Sequence, residues 1–213
     1  MYEYRADTCY CGLPYDPKEG LVPRGVTCST KDANKVRIIV VGKNPGFPDR
    51  LERKRYGEVA GKTYTSAAAM ATAMLEATIR WTEEAYLSSQ DGKRHPYQTH
   101  LMSFLREALG TPRNEEVLSH VYFTELLKCT DKKDERPNLF DKKHLESTKK
   151  CVKRWLLEEL KLFPEAKAIV ALGHEAEIAL MSWTMRPVIY LRHPSSYSKK
   201  HYAVALKQLK DVL

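Results

Sequence analysis

The chain has 213 residues, 43% of them hydrophobic and 29% charged, which is enough apolar material for one large domain and too much for a wholly disordered chain. Lysine and arginine outnumber the acids 35 to 27, a net charge of +8, and that excess favours a polyanionic partner, nucleic acid ahead of a merely solvated basic surface. The longest apolar runs, such as Ala168-Ile169-Val170-Ala171-Leu172, are strand-sized, and Met1 to Arg5 carry no apolar signal core; the expectation is an intracellular protein, cytoplasmic or nucleoid-associated, with no membrane span.

Residues 1–34 are rich in Gly, Pro, Cys and charge and read as a loop-built lead-in. Val36 to Val41 is dominated by β-branched residues and reads as a buried strand, ending in Gly42-Lys43-Asn44-Pro45-Gly46. A phosphate-cradling loop would carry more glycine and a Lys-Ser or Lys-Thr pair. Asn44 instead offers a donor and an acceptor without charge, which suits holding a water or a sugar-side group. Pro45 and the flanking glycines would fix the loop and admit a substrate close to the backbone. A plain tight turn with Asn44 as turn former is the alternative.

Asp49 to Lys62 reads as a charged loop punctuated by glycine. Ser66 is placed to cap a long helix running to about Leu87, with Met70, Met74, Ala77, Trp81 and Ala85 on one face. Residues 88–98 break it, and His100 to Leu109 reads as a second helix. This block, about 63–110, has the character of a helical insertion. Val121 to Leu127 is the next expected strand, Lys128 to Phe140 a basic loop, and Asp141 the cap of a helix through Leu162 that Pro164 stops. Then follow a strand over Ala166 to Leu172, a helix over Glu175 to Trp183, a strand over Val188 to His193 and a closing helix from Lys199 to Leu213.

Strands alternating with helices predict one α/β domain over 1–213, a three-layer α/β/α sandwich around a central, mostly parallel four-stranded sheet. Ligands of such sheets bind outside the carboxyl ends of the strands. Four unusual stretches fall at those ends: Gly42 to Gly46, Lys128-Cys129, Gly173-His174, and Arg192-His193-Pro194-Ser195-Ser196. A neutral His193 held at a strand exit can donate a hydrogen bond to an oxygen gaining negative charge. Ser195, Ser196 and the amides after them suit phosphate oxygens; a capped turn with a surface histidine is the alternative. Positive charge gathers in the same places, with five Lys/Arg and no acid from Arg192 to Lys210, and ten Lys/Arg against five acids from Lys128 to Arg154.

The cysteines are Cys9, Cys11, Cys28, Cys129 and Cys151. An odd count makes a complete disulfide framework an unsuitable reading, and inside a cell such cysteines serve a metal, a cluster or as inert thiols.

Together the loops resemble the uracil-DNA glycosylase superfamily. Gly42-Lys43-Asn44-Pro45-Gly46 is similar to its first motif in the Gly-x-Asn-Pro-Gly form of the mismatch-specific and single-strand-selective branches, and His193-Pro194-Ser195 to its second, His-Pro-Ser. The stretch "VYFTELLKC", then Cys151, then "AIVALGHEA" is similar to the iron–sulfur branch. The resemblance covers about 36–62 and 121–213 and leaves the helical block outside. It implies a DNA substrate with a damaged base, which is flipped out and cut from its sugar by hydrolysis in base excision repair.

By that analogy Asn44 positions the attacking water, His193 stabilises the departing base anion, and Ser195 grips a flanking phosphate. Tyr197, in a loop with Lys199 and Lys200, would enter the vacated stack, or else pack on the surface. Phe47 or Tyr56 would stack on the extruded base, or else belong to the core. Two departures stand out. Glu125 occupies the place where uracil-reading branches carry an Asn; ionised, it would accept from N3–H but repel O4, which suits bases presenting N–H donors, unless burial keeps it neutral so that it can donate. The lead-in carries Cys9-x-Cys11 and then Cys28 in place of Cys-x-x-Cys, so four of the five cysteines would hold a 4Fe–4S cluster with one to spare; zinc, which also takes four thiolates, is the other occupant considered. No lysine is clearly placed as an amine nucleophile, so a monofunctional, monomeric glycosylase is expected. A non-catalytic nucleic-acid-binding iron–sulfur protein on the same fold is the rival reading, and a small-nucleotide-binding α/β enzyme the third.

Overall fold

The computed structural model describes Asp16, Lys18, Pro48 and residues 22–27, 32–46, 50–91, 96–128 and 142–213. Phe47, Cys9, Cys11, Cys28, Cys129, the basic loop beyond Lys128 and the Asp141 cap lie outside the described residues.

Four strands, β1 (Ile38–Gly42), β2 (Val121–Glu125), β3 (Ala168–Leu172) and β4 (Val188–Leu191), form one sheet in the order β2-β1-β3-β4. Every pairing is parallel, so the mostly parallel expectation becomes wholly parallel. β1 and β3 lie inside the sheet and are buried at all positions, which is why both read as unbroken apolar runs without alternation. At the β4 edge the pattern alternates between half-buried and buried.

The other edge belongs to β2, and the lead-in covers it. Thr27 N donates to the Phe123 carbonyl at 3.2 Å, Phe123 N to Thr27 Oγ1 at 3.1 Å, and Arg24 N to the Lys128 carbonyl at 2.9 Å. Residues 24–27 thus run antiparallel beside β2 and occupy backbone groups that an open edge would expose.

Helices fill both faces. On one side lie α2 (Ala67–Leu87), α3 (Pro96–Leu109), α4 (Asn114–His120) and α8 (Lys199–Val212), whose Tyr86, Leu101, Phe104, Leu105, Val117 and Leu209 share a core with Val121 and Phe123 of β2. On the other lie α5 (Lys142–Cys151), α6 (Leu157–Lys161) and α7 (His174–Met181), with Val152, Leu156, Leu160 and Leu180 packed around Tyr122, Ile39 and Ile169. The three expected layers are present. A π-helical turn over Val152–Leu156 joins α5 to α6. Ser66 caps α2 as expected, accepting from Ala69 N at 3.1 Å.

Three elements depart from the sequence reading, the first being α4, which forms where no element was expected. The stretch read as a charged loop holds α1 (Arg50–Ala60), an 11-residue helix with Tyr56 as its one buried residue. Its polarity on the remaining faces and Gly57 hide it from a periodicity count. Helix α3 starts at Pro96 rather than His100; proline at a first helical position loses no intrahelical bond, since that N–H has no partner anyway.

Candidate active site

Between β1 and β3 the chain order reverses, β1 leading outward to β2 and the next strand returning to its other side. Such a switch point opens a crevice at the carboxyl ends, and the first motif follows β1 there. Its loop is held on several sides. Leu126 N donates to the Gly42 carbonyl at 2.9 Å and Leu127 N to that of Lys43 at 3.0 Å. Lys43 Nζ meets Glu175 Oε2 of α7 at 2.7 Å. The buried Arg24 donates to the Gly46 carbonyl and reaches Glu52 Oε2 of α1 at 3.3 Å.

Within this frame Asn44 is half-buried and its Nδ2 donates to the Pro45 carbonyl at 3.0 Å. With the donor engaged, Oδ1 is left to accept from a water. The two motif glycines serve different ends. Among the described residues a Cβ on Gly46 would meet nothing within 4 Å, whereas a Cβ on Gly42 would stand 2.8 Å from the Glu125 carboxyl carbon and closer still to Oε2.

The second motif leaves β4 and turns at once. His193 precedes a short 3-10 turn over Pro194–Ser196; its Nδ1 accepts from Ser195 N at 3.4 Å and its carbonyl from Ser196 N at 2.7 Å. Those two amides are therefore turned inward, while Ser195 and Ser196 themselves are exposed. Desolvation lowers the His193 pKa below the usual 6.5, which favours neutral imidazole. With Nδ1 accepting, the ring proton sits on Nε2. Its ring lies 5.4 Å from that of Tyr97 on α3. Helix α3 also braces the turn, since His100 Nδ1 is 3.1 Å from the Pro194 carbonyl and its ring stacks on Tyr197 at 4.4 Å. Tyr197, 47% exposed, is further fixed by Tyr202 at 4.7 Å.

Glu125 ends β2, paired in register with Gly42. It follows Val121 and Phe123 on the face that packs against α2 and α3, and does not point outward from the sheet. Oε2 is buried without a hydrogen-bond partner. Gly25, with φ of 81°, and Gly42 make the room: a Cβ at Gly25 would come within 2.7 Å of the Glu125 Cγ. Desolvation pushes the carboxyl pKa up to about 8, with Lys128 and Arg24 opposing and Glu159 adding to the rise. Tyr86 and Tyr97 both have raised pKa values, chiefly through their own burial, and the negative form of Glu125 adds to the rise.

The structure changes the expectation for Tyr56 and for the basic loop at Lys128. Tyr56 is 2% exposed, its ring 4.8 Å from Trp81 and its hydroxyl 3.2 Å from Thr78 Oγ1; it is core beneath the first motif and not a platform for a base. Lys128 is 6% exposed, bonded to Glu159 Oε2 at 2.6 Å and to the Glu125 carbonyl at 2.8 Å, so it cannot serve as a phosphate contact. Lys43, paired with Glu175, is no free amine nucleophile. Cys151 is buried at 6% in the core that also holds Leu126 and Leu127. Among the described residues no group of three or more His, Cys, Asp or Glu is placed to hold a metal.

Three site residues escaped the sequence reading. Tyr97 was legible through Pro96, which marks a helix start and puts the tyrosine on its first turn. Arg24 and Gly25 carry no such signal, because their partners are more than 20 positions away.

Residues 30–212 match the uracil DNA glycosylase superfamily, and the chain belongs to it: this is a DNA glycosylase of the uracil-DNA glycosylase type, with DNA as its substrate. The crystal structure of wild-type Pedobacter heparinus SMUG2 aligns over 94% of this chain and 91% of its own, at 14% identity and a TM-score of 0.46. Among curated proteins none matches the sequence. No helix among the described residues is long and apolar enough to cross a membrane.

Proposed function

We propose that this glycosylase removes a deaminated or mismatched base, uracil or a related lesion, from DNA in base excision repair, by direct hydrolysis and as a monomer. The observation that carries the reading is the pairing of Asn44, its Nδ2 held by the Pro45 carbonyl, with His193, its Nδ1 held by the Ser195 amide. β1 and β4 are separated by β3 alone, so the two residues leave strands about 10 Å apart, the scale of one nucleotide.

Asn44 Oδ1 accepts from a water and aims its oxygen at C1′. The bond from C1′ to the base nitrogen breaks, its electron pair leaving with the base, and the sugar becomes oxocarbenium-like. His193 Nε2–H donates to the base oxygen on which that charge collects. The water oxygen bonds to C1′ and its released proton ends on the base, so that a free base and an abasic sugar result. Ser195 and Ser196 hydroxyls hold a flanking phosphate, and Tyr197, braced by His100 and Tyr202, stands at the rim to fill the vacated stack. The ion pair of Lys43 supports a monofunctional enzyme, since a lysine held by a carboxylate is a poor amine nucleophile.

Cys129 and Cys151, with two of Cys9, Cys11 and Cys28, are assigned to a 4Fe–4S cluster, ahead of zinc. Thiolates are the ligands such a cluster takes, and Cys151 shares one buried core with Leu126 and Leu127, which precede Cys129 in the sequence. Bound there, the cluster would pin the intervening basic segment. Anaerobically prepared protein should be brown and contain iron and sulfide, both lost in Cys151→Ala; colourless, iron-free protein overturns the assignment.

The function is tested by incubating the protein with duplex and single-stranded oligonucleotides bearing uracil, hypoxanthine or normal bases, then cleaving abasic sites with alkali. Lesion-dependent cleavage, appearing only after alkali, is the expected result. DNA binding without release of any base would favour a non-catalytic binder.

A further inference from the structure

Asn44 is anchored unequally on its two sides. Before it, the Gly42 and Lys43 carbonyls are held by the amides of Leu126 and Leu127. After it, the ring of Pro45 fixes one backbone angle, and Gly46, with no side chain, is the joint that turns most freely. The group that holds Gly46 comes from the lead-in, before the residues matched to the family: Arg24 donates through Nη2 to the Gly46 carbonyl.

Arg24 is itself held at both ends. Its amide donates to the Lys128 carbonyl at 2.9 Å, beside the bonds of Thr27 to β2, and Val22, two residues earlier, is buried with Tyr56 of α1 and Met74 of α2. Its side chain is 6% exposed, with Nη1 3.3 Å from Glu52 Oε2. The Tyr56 hydroxyl faces the same guanidinium, whose charge opposes the rise that burial gives the phenol pKa. Nε is buried and has no hydrogen-bond partner among the described residues. A planar fork that leaves one buried donor unspent while it serves a loop carbonyl and a carboxylate is oriented by those two acceptors.

We propose that Arg24 is a positioning residue for Asn44. A fixed Gly46 carbonyl restrains the rotation of the adjoining peptide plane, whose oxygen is the Pro45 carbonyl that holds Asn44 Nδ2 at 3.0 Å. Oδ1 then keeps one direction toward the water. The role rests on the water-placing reading of Asn44 above and extends the support of the loop to a segment paired with the edge of the sheet. A lysine cannot replace the arginine, because a single ammonium is a point donor that lacks the fork needed to serve carbonyl and carboxylate together.

The test is a double-variant cycle in single-turnover excision from duplexes bearing uracil or hypoxanthine, at saturating full-length protein, with affinity for the same duplexes measured in parallel. Arg24→Lys and Arg24→Met should each slow excision roughly ten- to hundred-fold, the scale of a catalytic group displaced by about 1 Å, while affinity stays within about two-fold. In the Asn44→Ala background the same changes should have no further effect, because a residue acting through Asn44 has nothing left to place. An arginine that only stabilises the fold would lower both rates by the same factor. Glu52→Gln keeps Arg24 and loosens one of its anchors; it should slow excision less than Arg24→Lys, again only when Asn44 is present, and it carries the cycle if the Arg24 variants do not fold. Parental rates from a folded Arg24 variant, or equal slowing with and without Asn44, overturn the role of Arg24 and leave the glycosylase standing. A parental rate from Asn44→Ala overturns the water-placing reading beneath it, and a parent that excises neither base overturns both.

Discussion

At the scale of single residues the first motif shows how one loop divides its labour. Gly42 houses a carboxyl, Lys43 ties the loop to α7, Pro45 accepts from Asn44, and Gly46 accepts from Arg24. Only Asn44 has an atom to spare for chemistry. Asn44→Ala should therefore bind lesion DNA nearly as well as the parent and lose roughly 10²-fold or more in single-turnover excision, the scale for removing a positioned catalytic group. His193→Ala should slow excision most for the poorest leaving groups, because its hydrogen bond acts on the departing anion. Parental rates from Asn44→Ala would return the loop to a plain turn. The motif and His193 were legible in the sequence because their order along the chain survives folding. Burial of Tyr56, the Lys128 ion pair and the pocket for Glu125 were not, since each depends on residues brought together from distant segments.

At the scale of elements, the block that reads as an insertion is part of the site. Helix α2 contributes Tyr86, stacked on Phe123 at 4.3 Å, and α3 contributes Tyr97 and His100, one beside His193 and the other under Tyr197. The periodicity of α2 announced a buried face, and Tyr86 on its last turn belongs to the core there, 6% exposed. On the opposite face β2 is joined to α6 by Lys128 and Glu159, 6% and 1% exposed, with Thr124 Oγ1 bonded to the same carboxylate at 2.6 Å. Lys128→Met should cost about 3–5 kcal/mol in chemical denaturation, because it removes the cation beside a buried carboxylate, and pairing it with Glu159→Leu should recover most of the loss. Equal stability of the single variant and the parent would show that water reaches the pair.

At the scale of the whole molecule, charge and topology must meet at one end of the sheet. The net charge of +8 says only that a polyanion is favoured; the parallel sheet says where, by sending every strand's carboxyl end the same way. Arg192, Lys199 and Lys200 are exposed beside the second motif, at the start of α8. Lys210 lies at the far end of that helix, about 16 Å away at 1.5 Å per residue, and sits 3.9 Å from Glu107. Lys199 and Lys200 are therefore the better placed to meet the phosphates of a strand whose base has entered the pocket, while Lys210 is turned to another task. Each phosphate neutralised releases counterions, so affinity falls with salt at a slope of about −0.9 per contact on a log–log plot. Replacing Lys199 and Lys200 with Ala should flatten that slope by up to about 2 and weaken binding to damaged and undamaged duplexes in equal proportion. Lys210→Ala should leave the slope where it was. If the double variant keeps its slope but changes which lesion it prefers, these lysines read bases rather than phosphates, and the DNA path lies elsewhere than over the second motif.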